Sequence, residues 1–198
     1  MTERFIPVHG GYRKLLSYQR AELVYDATVR FCERFLKKYD RTVDQMVQAA
    51  RSGKQNIIEG SMASGTSKET EIKLTNVARA SLEELLADYR DFLRLRERAE
   101  WAKDDPSARR LGALVRTPGL AFEFIGAEFD LQDPIEAANV SIGLIKVTNY
   151  LLDRQLQHLE QAFVAEGGLR ERMTKARLRE RDRQNVKPRP DNPVDRKP

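Results

Sequence analysis

Apolar side chains recur at helical spacing over four long segments of the chain, with polar side chains between them. In the first segment, residues 15–39, Leu23, Ala27, Phe31 and Phe35 are each four residues apart, so they share one face of an α-helix. No segment shows the two-residue alternation of a half-buried strand. Four long amphipathic helices with short connections predict an all-α fold, an antiparallel four-helix bundle.

Capping signals predict where the second and third helices begin. Thr42 with Gln45, and Thr66 with Glu69, have the spacing of a capping box, in which a hydroxyl accepts a bond from a free backbone N–H and the later side chain reaches back. We expect the second helix to end near its glycine, Gly60. The apolar pattern of the third helix continues to about residue 101, so we expect that helix to end there.

The end of the second helix carries a polar motif, Asn56, Glu59 and Gly60, with two interpretations. It could present a polar contact surface. Alternatively, Asn56 and Glu59 brace a turn while Gly60 adopts a positive φ, and we favour this because it explains the glycine directly. Small residues that would allow a close approach of two helices precede the motif: Ala49, Ala50, Ser52 and Gly53.

The last long helix has the clearest start signal. Asp133 is a favourable N-cap and is followed by Pro134 at the first helical position; Gly167 and Gly168 then predict the end of the helix. Between the third and last helices we expect a short helix after Pro106 and a turn near residues 117–119. We divide the chain into an irregular arm (1–14), a bundle with an extended last helix (15–167) and a basic tail (168–198) that starts helical and ends disordered.

The formal charge of +5 is distributed unevenly. Residues 1–120 hold 22 basic residues against 17 acidic, residues 121–164 hold 2 against 7, and residues 165–198 hold 11 against 6. The first 164 residues are therefore neutral as a whole, and the excess charge lies in the tail. A basic balance with so local a source is weak evidence for a nucleic-acid partner.

Two sets of basic residues are candidate contacts for a phosphate backbone. The first lies on the second and third helices: Arg51, Lys54, Arg90, Arg94, Arg96 and Arg98. The second occupies alternate positions of the tail: Arg177, Arg179, Arg181 and Arg183. Asp91 and Glu97 leave open that the arginines of the third helix form an ordinary ion-paired face, and the tail could instead keep the terminus in solution.

We find no catalytic or metal-binding pattern, and we expect neither enzymatic activity nor a cofactor. His9 and His158 are far apart, and Cys32 lies on the apolar side of the first helix, where a small core residue is expected. One acidic group could bind a cation or form a solvated face: Glu83, Glu84 and Asp88. A single cysteine, no secretory signal and no apolar run of about 20 residues predict a soluble cytoplasmic protein that does not enter a membrane.

Four short stretches follow one another along the chain, at residues 18–21, 45–50, 56–60 and 68–71. Together they resemble a bacterial four-helix-bundle family. That family includes proteins encoded in intervening sequences of large-subunit ribosomal RNA genes and the accessory variability determinant of diversity-generating retroelements. Its marker element, Asn-Ile-x-Glu-Gly, is matched at residues 56–60, and residues 138–168 resemble the "suffix" branch, which has an extended last helix.

The resemblance implies a homopentamer of four-helix protomers. In the retroelement members the barrel is basic and binds nucleic acid and a reverse transcriptase, whereas this bundle is neutral. Our first hypothesis is a non-enzymatic, homo-oligomeric adaptor for RNA or RNA/DNA, with a reverse transcriptase as a candidate partner. The alternative is a protein-interaction scaffold in which the acidic residues 121–164 face a neighbouring copy; a third is a bundle that binds a metal or a small ligand.

Overall fold

A computed structural model describes residues 9–37 and 40–186 of the chain. Within these residues the regular structure is entirely helical, as the periodicity predicted. A short 3₁₀ helix at Tyr12–Lys14 precedes seven α-helices: α1 (Leu16–Phe35), α2 (Arg41–Ala63), α3 (Lys68–Arg94), α4 (Pro106–Leu114), α5 (Phe122–Glu128), α6 (Pro134–Glu166) and α7 (Leu169–Val186).

The bundle consists of α1, α2, α3 and α6, and each of these helices packs against two others, in the cyclic order α1–α2–α3–α6. Cross-helix contacts show that α3 and α6 are antiparallel. Arg79 pairs with Asp153, and one turn later in α3 the Glu83 carboxylate accepts a bond from Asn149, one turn earlier in α6. With 33 residues, α6 is about 50 Å long and extends beyond its partners, which confirms the predicted antiparallel bundle with an extended last helix.

The chain passes from α3 to α6 through α4 and α5, which pack on α6 and α1 respectively. The side chain of Leu111 in α4 fits against Gly143 of α6, and Ile125 of α5 is fully buried. With α4 as an additional neighbour, α6 is buried on nearly all sides from Ala137 to Ile145. The helix after Pro106 and the turn at Gly119 (φ 68°) were predicted; α5 was not.

The small residues of α2 allow α3 to approach closely, as predicted. A Cβ atom on Gly53 would lie 2.7 Å from Cδ2 of the buried Leu82. One residue earlier, the Ser52 and Ser81 hydroxyls lie 2.9 Å apart and are hydrogen-bonded.

Both predicted capping boxes are misplaced. α2 is capped by Asp40, whose carboxylate accepts a bond from the Thr42 N–H at 2.9 Å. α3 is capped by Ser67, which accepts a bond from the Thr70 N–H at 3.1 Å. The Thr66 hydroxyl instead donates to the Ala63 carbonyl at the end of α2, and Glu69 accepts from Lys73 rather than reaching back.

The predicted turn at residues 56–60 is also wrong. α2 continues through Gly60 to Ala63, and Gly60 has no positive φ. The Asn56 amide bonds the carbonyl and hydroxyl of Ser52 within the helix, and Glu59 is exposed. Gly60 is buried and lies close to α3, since a Cβ added there would be 3.4 Å from the Glu71 carbonyl oxygen.

Two helices end earlier than their apolar pattern predicted. α1 ends at Phe35, and Leu36 is extended; residues 38 and 39 lie outside the described part. α3 ends at Arg94 rather than near residue 101, because Glu97 adopts a left-handed conformation (φ 55°). The Glu97 and Arg98 amides then bond the Arg94 and Leu93 carbonyls, which is the Schellman arrangement.

The ends of the described chain differ in character. The predicted irregular arm includes the 3₁₀ helix and is attached to the bundle where the Gly10 N–H donates to the Ser61 carbonyl at 3.1 Å. The predicted helical tail is α7. The disorder predicted for the end of the tail concerns residues 187–198, and residues 1–8 belong to the predicted arm; both segments lie outside the described residues.

Candidate nucleic-acid interface

The start of α7 is determined by two glycines and one carboxylate. Gly167 ends α6 with a φ of 73°, a conformation that costs a residue with a side chain about 1–2 kcal/mol. The Gly168 N–H then donates to the Glu171 carboxylate at 2.8 Å, which is half of a capping box. α6 therefore ends at Gly167, and a new helix begins at Leu169.

α7 is exposed along most of its length and makes no extensive contact with the other helices. It holds seven basic residues against three acidic ones. All four arginines predicted from the tail sequence, Arg177, Arg179, Arg181 and Arg183, lie on this helix and are exposed. The ion pair between Arg183 and Glu180 is 4.0 Å long and exposed on both sides, so it holds the guanidinium only weakly.

The arginines of α3 are paired with nearby acids. Arg90 donates to Glu100 at 2.9 Å, and Arg94 to Asp91 at 2.9 Å. The Arg96 guanidinium lies 3.6 Å from the centroid of the Phe92 ring. The two ion pairs agree with the ion-paired face that the sequence left open, but the acids are Asp91 and Glu100 rather than the predicted Asp91 and Glu97.

Of the four arginines predicted for the third helix, Arg90 and Arg94 lie on α3, and the other two, Arg96 and Arg98, lie beyond its end. Arg98 follows the left-handed Glu97 and lies beyond the end of α3. On α2, Arg51 is exposed, whereas the Lys54 ammonium lies 4.1 Å from the centroid of the Tyr25 ring on α1. Lys54 is thus directed toward α1 and away from the α3 arginines.

The groove between α2 and α3 is acidic. Asp44, Glu84 and Asp88 line it, and its volume is about 990 Å³. Burial raises the pKa of Asp88, and the neighbouring Asp91 and Glu84 carboxylates raise it further. This face of the bundle is therefore unsuited to a phosphate backbone.

Sequence reasoning did not anticipate Glu100 as a junction between two helices. It accepts bonds from Arg90 of α3 and Lys146 of α6. Burial alone would raise its pKa, but the hydrogen bonds from Lys146 and Arg90 outweigh burial and hold the pKa of Glu100 below its ordinary value. Since Lys146 is 46 residues away, no local pattern could reveal this pairing.

Arg20 is a second residue whose role the sequence did not indicate. It is fully buried, and its guanidinium donates to the carbonyls of Val115 at 2.7 Å and Thr117 at 2.6 Å, just after α4 ends. Burial lowers the pKa of Arg20. The side chain joins α1 to the crossover segment and is not exposed to a partner.

Cys32, the one cysteine of the chain, lies in the hydrophobic core. Cys32 is buried, as predicted, and burial, with smaller contributions from Asp88 and Glu33, raises the pKa of its thiol to about 12, so the reactive thiolate is scarce at neutral pH. Among residues 9–37 and 40–186 no three metal-ligating side chains form a group that could hold a metal ion. Within the same part of the chain, no helix has the length and apolar character needed to cross a membrane.

Comparisons of the chain with protein-family models, with curated proteins and with solved structures gave no match.

Proposed function

We propose that this chain is a non-enzymatic adaptor that binds nucleic acid through α7. The supporting observation is a helix of 18 residues that is exposed, lies outside the packing of the bundle and carries seven basic side chains. Clustered cations of this kind release condensed counterions from a phosphate backbone, which drives association. The neutral bundle and the paired arginines of α3 leave α7 as the better candidate surface.

The motif resemblance adds the assembly to this proposal. By analogy with that family, the adaptor is a homo-oligomer, with a pentamer as the specific expectation, and its ligands are RNA or RNA/DNA. A reverse transcriptase is the protein partner that the same analogy suggests. The bundle would then serve as the oligomeric core, with one copy of α7 extending from each protomer.

Binding of the full chain to labelled RNA and DNA, measured by fluorescence anisotropy over a range of salt concentrations, tests this proposal. If four phosphates are neutralised, affinity should fall on the order of a hundredfold between about 50 and 200 mM salt. Replacing Arg177, Arg179, Arg181 and Arg183 together by Gln should weaken binding strongly. A control variant that removes two arginines of α3, Arg90→Gln with Arg94→Gln, should bind almost as the parent does, whereas removing two arginines of α7, Arg177→Gln with Arg181→Gln, should weaken binding measurably. The proposal is wrong if the chain binds no nucleic acid or binds with no salt dependence.

The alternative function, a protein-interaction scaffold, is favoured by one specific observation. The acidic groove between α2 and α3 and the basic α7 carry complementary charge on the same chain. Among the acids of residues 121–164, Asp153 pairs with Arg79 inside the protomer at 3.4 Å, and Glu123 makes a weak, exposed pair with Arg30 at 4.0 Å. Light scattering in low and high salt separates the two functions: assembly that salt dissociates, with no retained nucleic acid, favours the scaffold.

A further inference from the structure

The seven basic residues of α7 fall on two opposite faces of the helix. Each residue of an α-helix advances by about 100°. Arg170, Arg177 and Arg181 therefore lie within an arc of about 40°, here named the Arg177 face. The remaining four lie within about 80° on the other side, centred about 180° away, and form the Arg179 face: Arg172, Lys175, Arg179 and Arg183.

The acidic and apolar residues of α7 occupy the two sectors between these faces. Glu171 and Asp182 lie in one sector and Glu180 in the other, each next to apolar side chains such as Leu178 or Met173. The acids thus separate the two basic faces rather than interrupting either of them. A ligand that lies on one side of the helix could contact only one face, so this arrangement favours a ligand with negative charge on both sides.

We propose that α7 binds in the major groove of double-stranded DNA, with the Arg177 face toward one phosphate backbone and the Arg179 face toward the other. This inference rests on the proposed nucleic-acid binding and names duplex DNA as the ligand, in place of the RNA or RNA/DNA that the family analogy suggests. The groove of B-form DNA is about 12 Å wide with phosphates along both walls, and an α-helix with its side chains is about 10–12 Å across. The major groove of A-form RNA is too narrow to admit a helix in this way.

The length of the helix also fits such a site. From Arg170 to Arg183 the axis advances by about 20 Å, so the basic side chains span several phosphates on each strand. Six of the seven basic residues are exposed, and Arg172 is half-buried. The apolar row of α7 is short, Leu169, Met173 and Ala176 within about 60°, and a helix with so little apolar surface needs stabilisation from elsewhere. Phosphates on both flanks would also relieve repulsion among its own cations.

Two double variants of the full chain test the groove model, because they remove equal charge at equal spacing from opposite faces. Arg177→Gln with Arg181→Gln alters one face, and Arg179→Gln with Arg183→Gln alters the other. In binding to a DNA duplex of about 20 base pairs, each should reduce the slope of log affinity against log salt by about two, with similar losses of affinity. The duplex should bind more tightly than its single strand or an RNA duplex, and circular dichroism verifies that the variants remain helical.

The outcomes separate this inference from the proposed function. If the loss is confined to one face, or if single-stranded nucleic acid or an RNA duplex binds as well as the DNA duplex, then α7 does not occupy the groove although the chain still binds nucleic acid. If the chain binds nucleic acid and neither double variant weakens it, α7 is not the interface. If the parent chain binds no nucleic acid at all, both proposals are wrong.

Discussion

At the scale of single residues, Glu97 shows how one backbone conformation overrides an apolar pattern. It is the one non-glycine residue with a positive φ in the described part of the chain. Glycine is the usual residue at this position of a helix end, because it has no Cβ to clash with the backbone. With glutamate there, the sequence contains no stop signal, and the helix was expected to continue past Arg94.

Replacing Glu97 by Gly should raise the free energy of unfolding by about 0.5–1 kcal/mol, because it removes the strain of a side chain in the left-handed region. Glu97→Ala is the matched control: it removes the same carboxylate but keeps a Cβ, so it should give no comparable gain. Urea denaturation of both variants measures the difference. Equal stabilities of the two variants would show that backbone strain at residue 97 is negligible.

At the scale of helices, the spacing between α2 and α3 depends on residues that lack bulk. Gly53 faces Leu82, which is fully buried and has no room to move away. By contrast, Gly112 in α4 has no atom within 4 Å of an added Cβ. Both glycines lie inside helices, so their intrinsic helix propensities are the same and only their surroundings differ.

Gly53→Ala should therefore destabilise the protein by about 1–3 kcal/mol, since overpacking outweighs the gain in helix propensity. Gly112→Ala should instead stabilise it by about 0.5–1 kcal/mol, because the unfolded chain loses conformational freedom and nothing is crowded. Thermal or chemical denaturation gives both signs in one experiment. A stabilising Gly53→Ala would mean that α2 and α3 are not in close contact at this level.

At the scale of the whole molecule, Glu100 connects two helices that are distant in sequence. Its carboxylate is bonded by Arg90 and Lys146, and its side chain is 23% exposed. A carboxylate whose pKa is lower in the folded protein than in the unfolded chain adds stability that is present above the unfolded value. That stability is lost as the pH falls through the folded value.

Glu100→Gln should consequently lower the free energy of unfolding by about 1 kcal/mol at pH 7, a modest value because both cationic partners are half-exposed. The difference between parent and variant should shrink as the pH falls below the ordinary glutamate value of 4.5 and vanish in stronger acid. Urea denaturation at a series of pH values measures this. A difference that stays constant with pH would assign the effect to packing rather than to charge.

The helical class, the number of long helices and several helix starts could be predicted because local signals encode them. Asp133 and Pro134 mark the start of α6 through an N-cap bond and a fixed φ, and both act within one helical turn. The sequence could not predict that Asp40 and Ser67 are the N-caps of α2 and α3, because neighbouring polar residues compete for the same backbone N–H groups. α5 was missed because seven residues are too few to show a helical period.

For the candidate interface, the sequence by itself determined the angular pattern of α7, since the positions of Arg177 to Arg183 fix their directions once the segment is helical. Only the tertiary structure decided which basic residues are available to a partner. Arg90 is bonded to Glu100, which also binds Lys146 of α6. Lys54 is held against Tyr25 of α1. By contrast, α7 lies outside the packing of the bundle. The physical reason is range: helix periodicity and capping act over a few residues, whereas burial and ion pairing depend on segments that folding brings together.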